Sequence, residues 1–302
     1  MAEGTALVFC VDAGGTRCRG RLVGPDGTAR AEAEDGPCNP ATDLARAAAS
    51  LTGLWASCAT RAGHDAADLA GVTLALGGAG LTVGSARDGL LAAAPRFARA
   101  VVMSDGYAAM IGAGGGAPCS LIIVGTGVAG HRLYADGTSI ERDGWGWIGG
   151  DRGSGAWIGQ RALRHALAVA DGLHARDGLA ESVFAALRAL SPQPRGWIPL
   201  LGPERLAALA PLVLRAADTG EAVAVAIRER AAGHLAALAR VLDPGAEDPL
   251  YLAGGLATAL LPLLAMQLRR DVAQPEADAR TGAWRVASGG APEERVRRIS
   301  DL

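Results

Sequence analysis

A chain of 302 residues, 50% hydrophobic and 20% charged, has the composition of a soluble globular protein and is long enough for two domains. Its net charge of −2, without a basic run, gives no indication of a nucleic-acid surface. No stretch approaches the roughly 18 apolar residues of a membrane span, and the N-terminus lacks the basic residues of a signal peptide, so we expect a cytoplasmic protein.

The Cys, His and basic residues exclude several kinds of functional site. Five Cys are scattered without a C-x-x-C pair, and the five His include no H-E-x-x-H, so a zinc site is not expected. All 29 basic residues are Arg. Because the Walker A loop and the protein-kinase fold each require a Lys, both scaffolds are excluded.

The first half of the chain alternates short apolar runs with turns. Strands are predicted at residues 6–11, 17–23, 29–34, 71–76 and 101–103. Helices are predicted over 42–61, in a short stretch ending near residue 94, and again from Asp105. Gly27 stands in the turn 25–28, where a positive φ is expected.

The second half repeats the order of the first after a glycine-rich linker at 114–118. Strands at 121–124 and 131–134 flank a Gly/Thr turn, as strands do near the N-terminus about 110 residues earlier. Helices follow at 156–170 and 221–242, then a strand at 249–253 and a helix from about residue 258. The repeat predicts two related lobes, each with a hairpin that faces phosphate.

Asp12-Ala-Gly-Gly-Thr16 is the first of these turns. Its Gly and Thr amides can donate to an anion, and the Thr hydroxyl adds a donor. Asp12 would repel phosphate directly, so its useful role is to hold Mg²⁺ through water. The alternative is an ordinary hairpin with an Asp turn. The Gly125-Thr126-Gly127 turn has the same composition.

Three polar residues each admit a structural and a chemical interpretation. Asp105, between a strand and a helix, is either an N-cap or a base that accepts the proton of a substrate hydroxyl. Asp151 is either an N-cap or a ligand for sugar hydroxyls. Asn39, between two prolines, either shapes its loop or binds a sugar hydroxyl or N-acetyl group.

The segment 143–159 is rich in Gly and holds three of the six Trp. Glycine lets the backbone bend and approach a ligand, and indole offers a flat apolar face, which suits a sugar ring. Alternatively these Trp belong to the core. Gly254-Gly255, between a strand and a helix, fits a close backbone approach to a flat ring such as adenine.

In this order the motifs resemble the N-acetylglucosamine kinase branch of the sugar-kinase/Hsp70/actin superfamily, the group that includes BadF/BadG/BcrA/BcrD-type ATPases. The resemblance runs from Val8 to about Ala287 and is carried by Asp12-Ala-Gly-Gly-Thr16, Gly36-Pro-Cys-Asn39-Pro40, Ser104-Asp105, Gly125-Thr-Gly127, the block 144–155 and Leu252-Ala-Gly-Gly255. Two residues depart from the family pattern. Val128 stands where members carry Ser, and Arg152 stands where they tend to carry Glu, so the substrate is less defined than the reaction.

The resemblance implies a role for each motif. Asp105 would be the catalytic base and would also touch the sugar, and Asp12 would hold Mg²⁺. The ATP phosphates and adenosine would contact Gly14, Gly15, Thr16, Arg17, Gly125, Thr126, Gly127, Gly254 and Gly255. The sugar would be lined by Asn39, Gly144, Trp145 and Asp151.

The resemblance therefore implies an α/β fold, a two-lobed actin-like ATPase with duplicated ribonuclease H-like domains and a central cleft. We expect lobes at 1–115 and 116–302, with residues 285–302 packing back on the first. The expected activity is ATP-dependent phosphorylation of an amino sugar, N-acetylglucosamine or glucosamine, with Mg²⁺. The sequence does not define the oligomeric state, for which a homodimer is one option. The alternatives are an ATPase that activates a partner enzyme and a non-catalytic sugar sensor.

Overall fold

The computed structural model describes residues 7–191 and 193–296. The chain divides into two compact units. Of the described residues, 7–119, 132–140 and 275–296 belong to the first unit, and the remainder belong to the second. The expected lobe division at residue 115 stays a prediction, and the end of the segment expected to pack back, 297–302, lies outside the described residues.

The first unit contains a five-stranded sheet in the order β3-β2-β1-β4-β5. Its strands are β1 (Leu7–Ala13), β2 (Cys18–Val23), β3 (Ala29–Asp35), β4 (Val72–Gly78) and β5 (Arg99–Ser104). β1, β2 and β3 pair antiparallel, whereas β4 and β5 run parallel to β1. All five predicted strands are confirmed, and Gly27 has the expected positive φ of 77°.

The second sheet repeats this order. It runs β8-β7-β6-β9, from β6 (Cys119–Val124), β7 (Val128–Leu133), β8 (Ser139–Asp143) and β9 (Leu250–Ala253). β9 pairs parallel to β6, as β4 does to β1. Where β5 stands in the first sheet, the described residues of the second form a parallel bridge between Tyr251 and Ala273 in place of a strand. The predicted duplication is confirmed, with a shortened last strand.

Ten α-helices surround the sheets in the described residues. Those of the first unit are α1 (Leu44–Ala62), α2 (Gly84–Ala93), α3 (Asp105–Gly114) and α10 (Ala279–Ala287). Those of the second are α4 (Gly155–Ala170), α5 (Gly178–Arg188), α6 (Pro203–Ala207), α7 (Ala210–Asp218), α8 (Ala222–Leu242) and α9 (Ala257–Leu268). The predicted helices at 42–61, 156–170 and 221–242 correspond to α1, α4 and α8.

The core of the first unit is anchored by aromatic rings beneath β1. Phe9 meets Trp55 of α1 edge-on at 5.2 Å between ring centroids, and Phe97 packs against both. The indole N–H of Trp55 donates to the carbonyl of Ala66 at 2.9 Å, so burial leaves no polar group unsatisfied there. This packing fixes β1, and with it the turn at its carboxyl end.

Helices α3 and α10 pack backbone to backbone through two glycines. A Cβ on Gly282 would overlap the carbonyl of Ala108, and one on Gly112 would overlap the carbonyl of Asp278. We expect Gly282→Ala to lower the free energy of unfolding by about 3 kcal/mol, because backbone cannot yield as a flexible side chain does. Urea unfolding followed by circular dichroism measures this.

The control is Gly84→Ala at the start of α2, where an added Cβ would meet nothing within 4 Å. Its stability should stay the same or rise slightly, because alanine loses less backbone entropy on folding. Equal stability of both variants would contradict the close packing of α3 on α10.

Candidate active site

The turn between β1 and β2 presents free backbone donors. Gly14 N donates to Arg17 O at 3.1 Å and closes the turn, and a Cβ on Gly14 would lie 2.8 Å from that oxygen. At the exposed tip, the amides of Gly15 and Thr16 donate to nothing in the described chain. An anion would satisfy them, so this turn fits a phosphate group.

Asp12, expected to hold Mg²⁺, has a neighbour that sequence reasoning missed. Arg19 Nη2 lies 2.5 Å from Asp12 Oδ2, and the Asp12 side chain is only 20% exposed. The two residues face each other in the antiparallel register of β1 and β2. That register could have been read from the hairpin. A cation bound at Asp12 would share the carboxylate with this guanidinium group.

Asn39 lies next to the same turn. Cys38 N donates to Gly14 O at 3.0 Å and ties the loop 36–40 to the tip. The Asn39 side-chain oxygen accepts from Ala41 N at 3.0 Å, so the loop-shaping interpretation is correct. The side-chain nitrogen of Asn39 donates to nothing in the described chain and is available to a ligand.

Asp105 is not an N-cap. Ser104 caps α3: its backbone is extended and its Oγ accepts from Tyr107 N at 3.1 Å. Asp105 is the first helical residue, and its side chain is exposed to solvent. Desolvation by the surrounding atoms nevertheless raises the pKa of its carboxyl group, the Gly106 N–H lowers it, and the charge of Asp12 raises it. The net shift is upward, which suits a base that accepts a proton.

Glu294 holds the residue before Asp105 and was also missed. Its Oε2 accepts from Ser104 N at 2.7 Å, and its Oε1 accepts from Ser104 Oγ at 2.6 Å. Nearby, the Tyr107 hydroxyl donates to Pro292 O at 2.9 Å. No sequence signal joins residues 190 positions apart. The segment around Glu294 thus fixes the start of the helix that carries Asp105.

The second Gly/Thr turn lies in the second unit, between β6 and β7. Gly125 N donates to Gly127 O at 2.9 Å, while the amides of Thr126 and Gly127 donate to nothing in the described chain. Val128, where the family carries Ser, turns its side chain into the core. This turn also fits an anion, through backbone donors only.

Asp151 braces this turn and is not an N-cap either. Ser154 Oγ caps α4 by accepting from Trp157 N at 3.2 Å. Asp151 is 7% exposed with a φ of 54°, and its Oδ1 accepts from Val128 N at 3.2 Å. Desolvation raises the pKa of its carboxyl group, the Val128 N–H lowers it, and Asp143 raises it.

In residues 143–159, the Gly/Trp segment, two of the three indole side chains are exposed. Trp145 is 70% exposed and Trp147 is 36% exposed, so the core interpretation is wrong for both. Gly144, with φ of 74°, donates to Val128 O at 3.0 Å and holds the segment beside the second turn. Trp157 is half-buried and its ring packs 5.0 Å from the imidazole of His234.

Gly254 and Gly255 differ in what requires them. Gly254 has φ of 99°, and a Cβ there would overlap the backbone of Val124 at the end of β6. Gly255 has open space around it, with nothing within 4 Å of an added Cβ. The first glycine is needed for the fold, and the second leaves room for a ligand.

The model of one protein family matches most of the chain. The profile of the BadF/BadG/BcrA/BcrD ATPase family matches residues 10–283. The chain belongs to this family. The matched range spans both units and includes the two Gly/Thr turns, Asp105, the Gly/Trp segment and Gly254-Gly255.

Two relatives cover nearly the whole chain. The glucosamine kinase GspK of Vibrio cholerae is 25% identical over 286 residues, which is 95% of this chain and 96% of that protein. A crystal structure from Chromobacterium violaceum, of a protein provisionally described as an N-acetylglucosamine kinase, is 34% identical and superposes with a TM-score of 0.86 over 94% of this chain and 100% of that one.

A more distant structure shares the fold alone. The glucokinase of the ROK family from Streptomyces griseus, solved with glucose and AMPPNP, is 17% identical, with a TM-score of 0.54 over 94% of this chain and 98% of that chain. The fold is thus the two-lobed, actin-like α/β ATPase fold that the family resemblance implied. None of the helices in the described residues is long and apolar enough to cross a membrane.

Proposed function

We propose that this protein is an ATP-dependent kinase that phosphorylates a hydroxyl group of an amino sugar, glucosamine or N-acetylglucosamine. The observation that carries the proposal is the similarity to a glucosamine kinase over 95% of the chain. The family match over residues 10–283 includes both Gly/Thr turns, Asp105 and the Gly/Trp segment, so the parts that phosphoryl transfer needs all lie within it.

Each unit contributes anion-binding groups to this function. In the first unit, Gly14, Gly15, Thr16 and Arg17 bind ATP phosphate, through the free amides of Gly15 and Thr16. In the second, the Gly125–Gly127 turn binds phosphate and Gly254-Gly255 borders the adenosine. Asp12 holds Mg²⁺ through water, with Arg19 beside it. A bound Mg²⁺ supplies charge neutralisation to the phosphates.

The reacting hydroxyl requires a base and an oriented sugar. Asp105 accepts the hydroxyl proton, and its raised pKa brings its basicity closer to that of the group it deprotonates. Asn39, through its free side-chain nitrogen, and Gly144, Trp145 and Asp151 line the sugar. Among these lining residues, Trp145 has an exposed indole that suits the apolar face of a pyranose ring.

The first alternative, an ATPase that activates a partner enzyme through an iron–sulfur cluster, is less well supported. Its cluster would bridge subunits and would need accessible thiolates. All five cysteines are buried here. The two relatives described above are also named as kinases, one of them provisionally. The second alternative, a sugar sensor without catalysis, is separated from the kinase by experiment.

A coupled assay of ADP release over a panel of hexoses and amino sugars tests the proposal. We expect glucosamine or N-acetylglucosamine to stimulate ADP release above the sugar-free rate and to yield a stoichiometric sugar phosphate by mass spectrometry. Sugar binding without sugar phosphate would favour the sensor, and sugar-independent ATP use would favour the activator. Light scattering on the purified protein tests the homodimer that we propose for its assembly.

The raised pKa of Asp105 predicts the acid side of the pH profile. As a base, Asp105 works only as the carboxylate, so kcat/KM should fall as the pH drops through its pKa. Because that pKa lies above the ordinary 3.8, the midpoint should lie above 3.8. Circular dichroism at each pH distinguishes this loss from acid unfolding. A midpoint at or below 3.8 in folded protein would contradict the assignment.

A further inference from the structure

The second unit contains a pocket that the proposed reaction does not use in full. It has a volume of about 450 Å³ and lies between the loop after β8 and helix α8. The loop contributes Trp145, Arg142 and Arg152, and α8 contributes His234. Asp143, Gly149 and Gly150 also line the pocket, and the apolar side chains of Ala237, Leu238 and Val241 complete the lining. Volumes of about 300–1,000 Å³ are typical of small-molecule sites.

Cationic side chains cluster at this pocket. Arg152 lines it, and Arg161 of α4 and Arg230 of α8 lie close enough for their charges to act on His234. Arg164 lies near Arg161 in turn. None of these four guanidinium groups forms an ion pair with any residue of the described chain. Of these four only Arg152 lines the pocket, so an anion bound there would contact Arg152 directly and be stabilised at longer range by the charges of Arg161 and Arg230.

Two arginines of the first unit share a pair of carboxylates. Arg21 binds Glu32 at 2.6 Å and Asp278 at 3.0 Å, and Arg280 binds the same two carboxylates at 3.0 and 2.7 Å. Neighbouring arginines there are neutralised by acids within the fold. At the pocket the one acid among the lining residues, Asp143, forms no ion pair with an arginine of the described chain, so the guanidinium groups there can still pair with an anion from outside the chain.

His234 is the titratable group at the centre of the cluster. Burial lowers the pKa of its imidazole, and so do Arg152, Arg230 and Arg161. Asp143 is the one acid that acts against them, and its carboxylate already accepts from Asp151 N at 2.9 Å. His234 is therefore neutral near pH 7, and a bound anion would raise its pKa and let it take up a proton.

We propose that this pocket binds a sugar that carries a phosphate monoester. The phosphate lies against Arg142, Arg152 and His234, and the ring lies against the Trp145 indole. A dianion matches the unpaired charges, and the apolar lining beside an exposed indole matches a pyranose face. The choice of a phosphorylated amino sugar as ligand rests on the proposed function, since that is its product class. Sharing Trp145 would then make product binding inhibit the enzyme.

Calorimetry on the nucleotide-free protein tests the pocket directly. The probes are glucosamine 6-phosphate, glucosamine and inorganic phosphate. We expect saturable binding of glucosamine 6-phosphate that is at least about tenfold tighter than that of either fragment, because only the intact probe engages both indole and arginines. Equal binding of inorganic phosphate would reduce the pocket to a simple anion site and overturn the sugar part of the proposal.

Charge-removing variants locate the binding. Arg152→Gln should weaken glucosamine 6-phosphate binding by about tenfold, by loss of a direct charged contact. Arg230→Gln, which acts through space, should weaken it by about threefold at low salt. The control is Arg215→Gln on α7, an exposed arginine away from the pocket with the same change of net charge. Equal losses in all three variants would show a general charge effect and overturn the proposal.

Proton uptake gives a second readout. Calorimetry near pH 6.5 in two buffers of different ionisation enthalpy measures the protons taken up with glucosamine 6-phosphate, and His234→Asn should remove part of that uptake. Unchanged uptake would place the phosphate elsewhere. Because these measurements need no turnover, the pocket can fail while the kinase proposal stands, and loss of kinase activity does not decide the pocket. Two results together would assign the binding to the substrate site instead. Saturating glucosamine would displace glucosamine 6-phosphate from the parent protein, and Arg152→Gln would bind glucosamine 6-phosphate with unchanged affinity.

Discussion

Replacing Asp105 by Asn should abolish sugar phosphorylation and leave ATP binding largely intact. Asn keeps the shape of the side chain but cannot accept the proton of the sugar hydroxyl, a contribution worth about 10²–10⁴ in rate. The Ser104 cap of α3 does not depend on the Asp105 side chain, so the fold should survive. Sugar phosphate formation by mass spectrometry and ATP affinity by calorimetry are the two measurements.

Asp88→Asn is the matched control for Asp105→Asn. Asp88 is an exposed aspartate in α2 of the same unit, and its carboxylate pairs with the adjacent Arg87 at 2.9 Å. Such surface pairs contribute little to stability. We expect normal turnover from this control. Near-normal turnover from Asp105→Asn would remove Asp105 from the mechanism and leave positioning by the turns as the source of catalysis.

The backbone framework of this protein was accessible from sequence because its signals are local. The apolar runs that became β1 and β6 each end in a Gly/Thr turn, and those turns have the free amides that composition suggested. The duplication followed from the order of the parts, without any long-range information. The shortened last strand of the second sheet could not be predicted from the sequence. It consists of one bridge, in which Ala273 pairs with Tyr251 of β9, and such a pairing leaves no local pattern.

Side-chain roles were harder to predict, since they depend on distant residues. The N-cap alternative for Asp105 and Asp151 was wrong in both cases because a serine, Ser104 or Ser154, takes the capping position. Because the serine and the aspartate are only one or three residues apart, the sequence alone does not show which of them caps the helix. The Arg19 partner of Asp12 was a local signal that went unrecognised, since the hairpin register places the two opposite each other.

The conformation of the Gly/Trp segment could be predicted only in part. Its Gly content suggested sharp bends, and Gly144, Gly146 and Gly153 do take positive φ. Exposure of Trp145 could not be read from the sequence, because an indole in a glycine-rich loop can turn either way. Arg152, which departs from the family pattern, lines the pocket between the loop after β8 and helix α8. Its position among other arginines depends on how α4 and α8 pack, which the sequence does not show.

Glu294→Ala should lower kcat by about tenfold to a hundredfold with little change in KM for ATP. Glu294 accepts two short hydrogen bonds from Ser104, at 2.7 and 2.6 Å, and so orients the hydroxyl that caps α3. Its loss leaves a buried amide and hydroxyl unsatisfied, and the first turn of the helix loses its fixed position. Asp105 begins that turn, so a shift of the turn displaces the base from the sugar hydroxyl.

Glu294→Gln and Glu293→Ala separate positioning from general structural damage. Glutamine keeps one acceptor oxygen for the two donors of Ser104, so its kcat should fall between those of the parent and Glu294→Ala. Glu293 pairs with Arg99 at 3.3 Å on the surface, and its removal should leave kcat unchanged. If Glu294 acts through Asp105, Glu294→Ala should add little to the loss already caused by Asp105→Asn, because the two residues serve one function. Fully additive losses in the double variant would mean that Glu294 supports the enzyme by another route, such as the stability of the first unit.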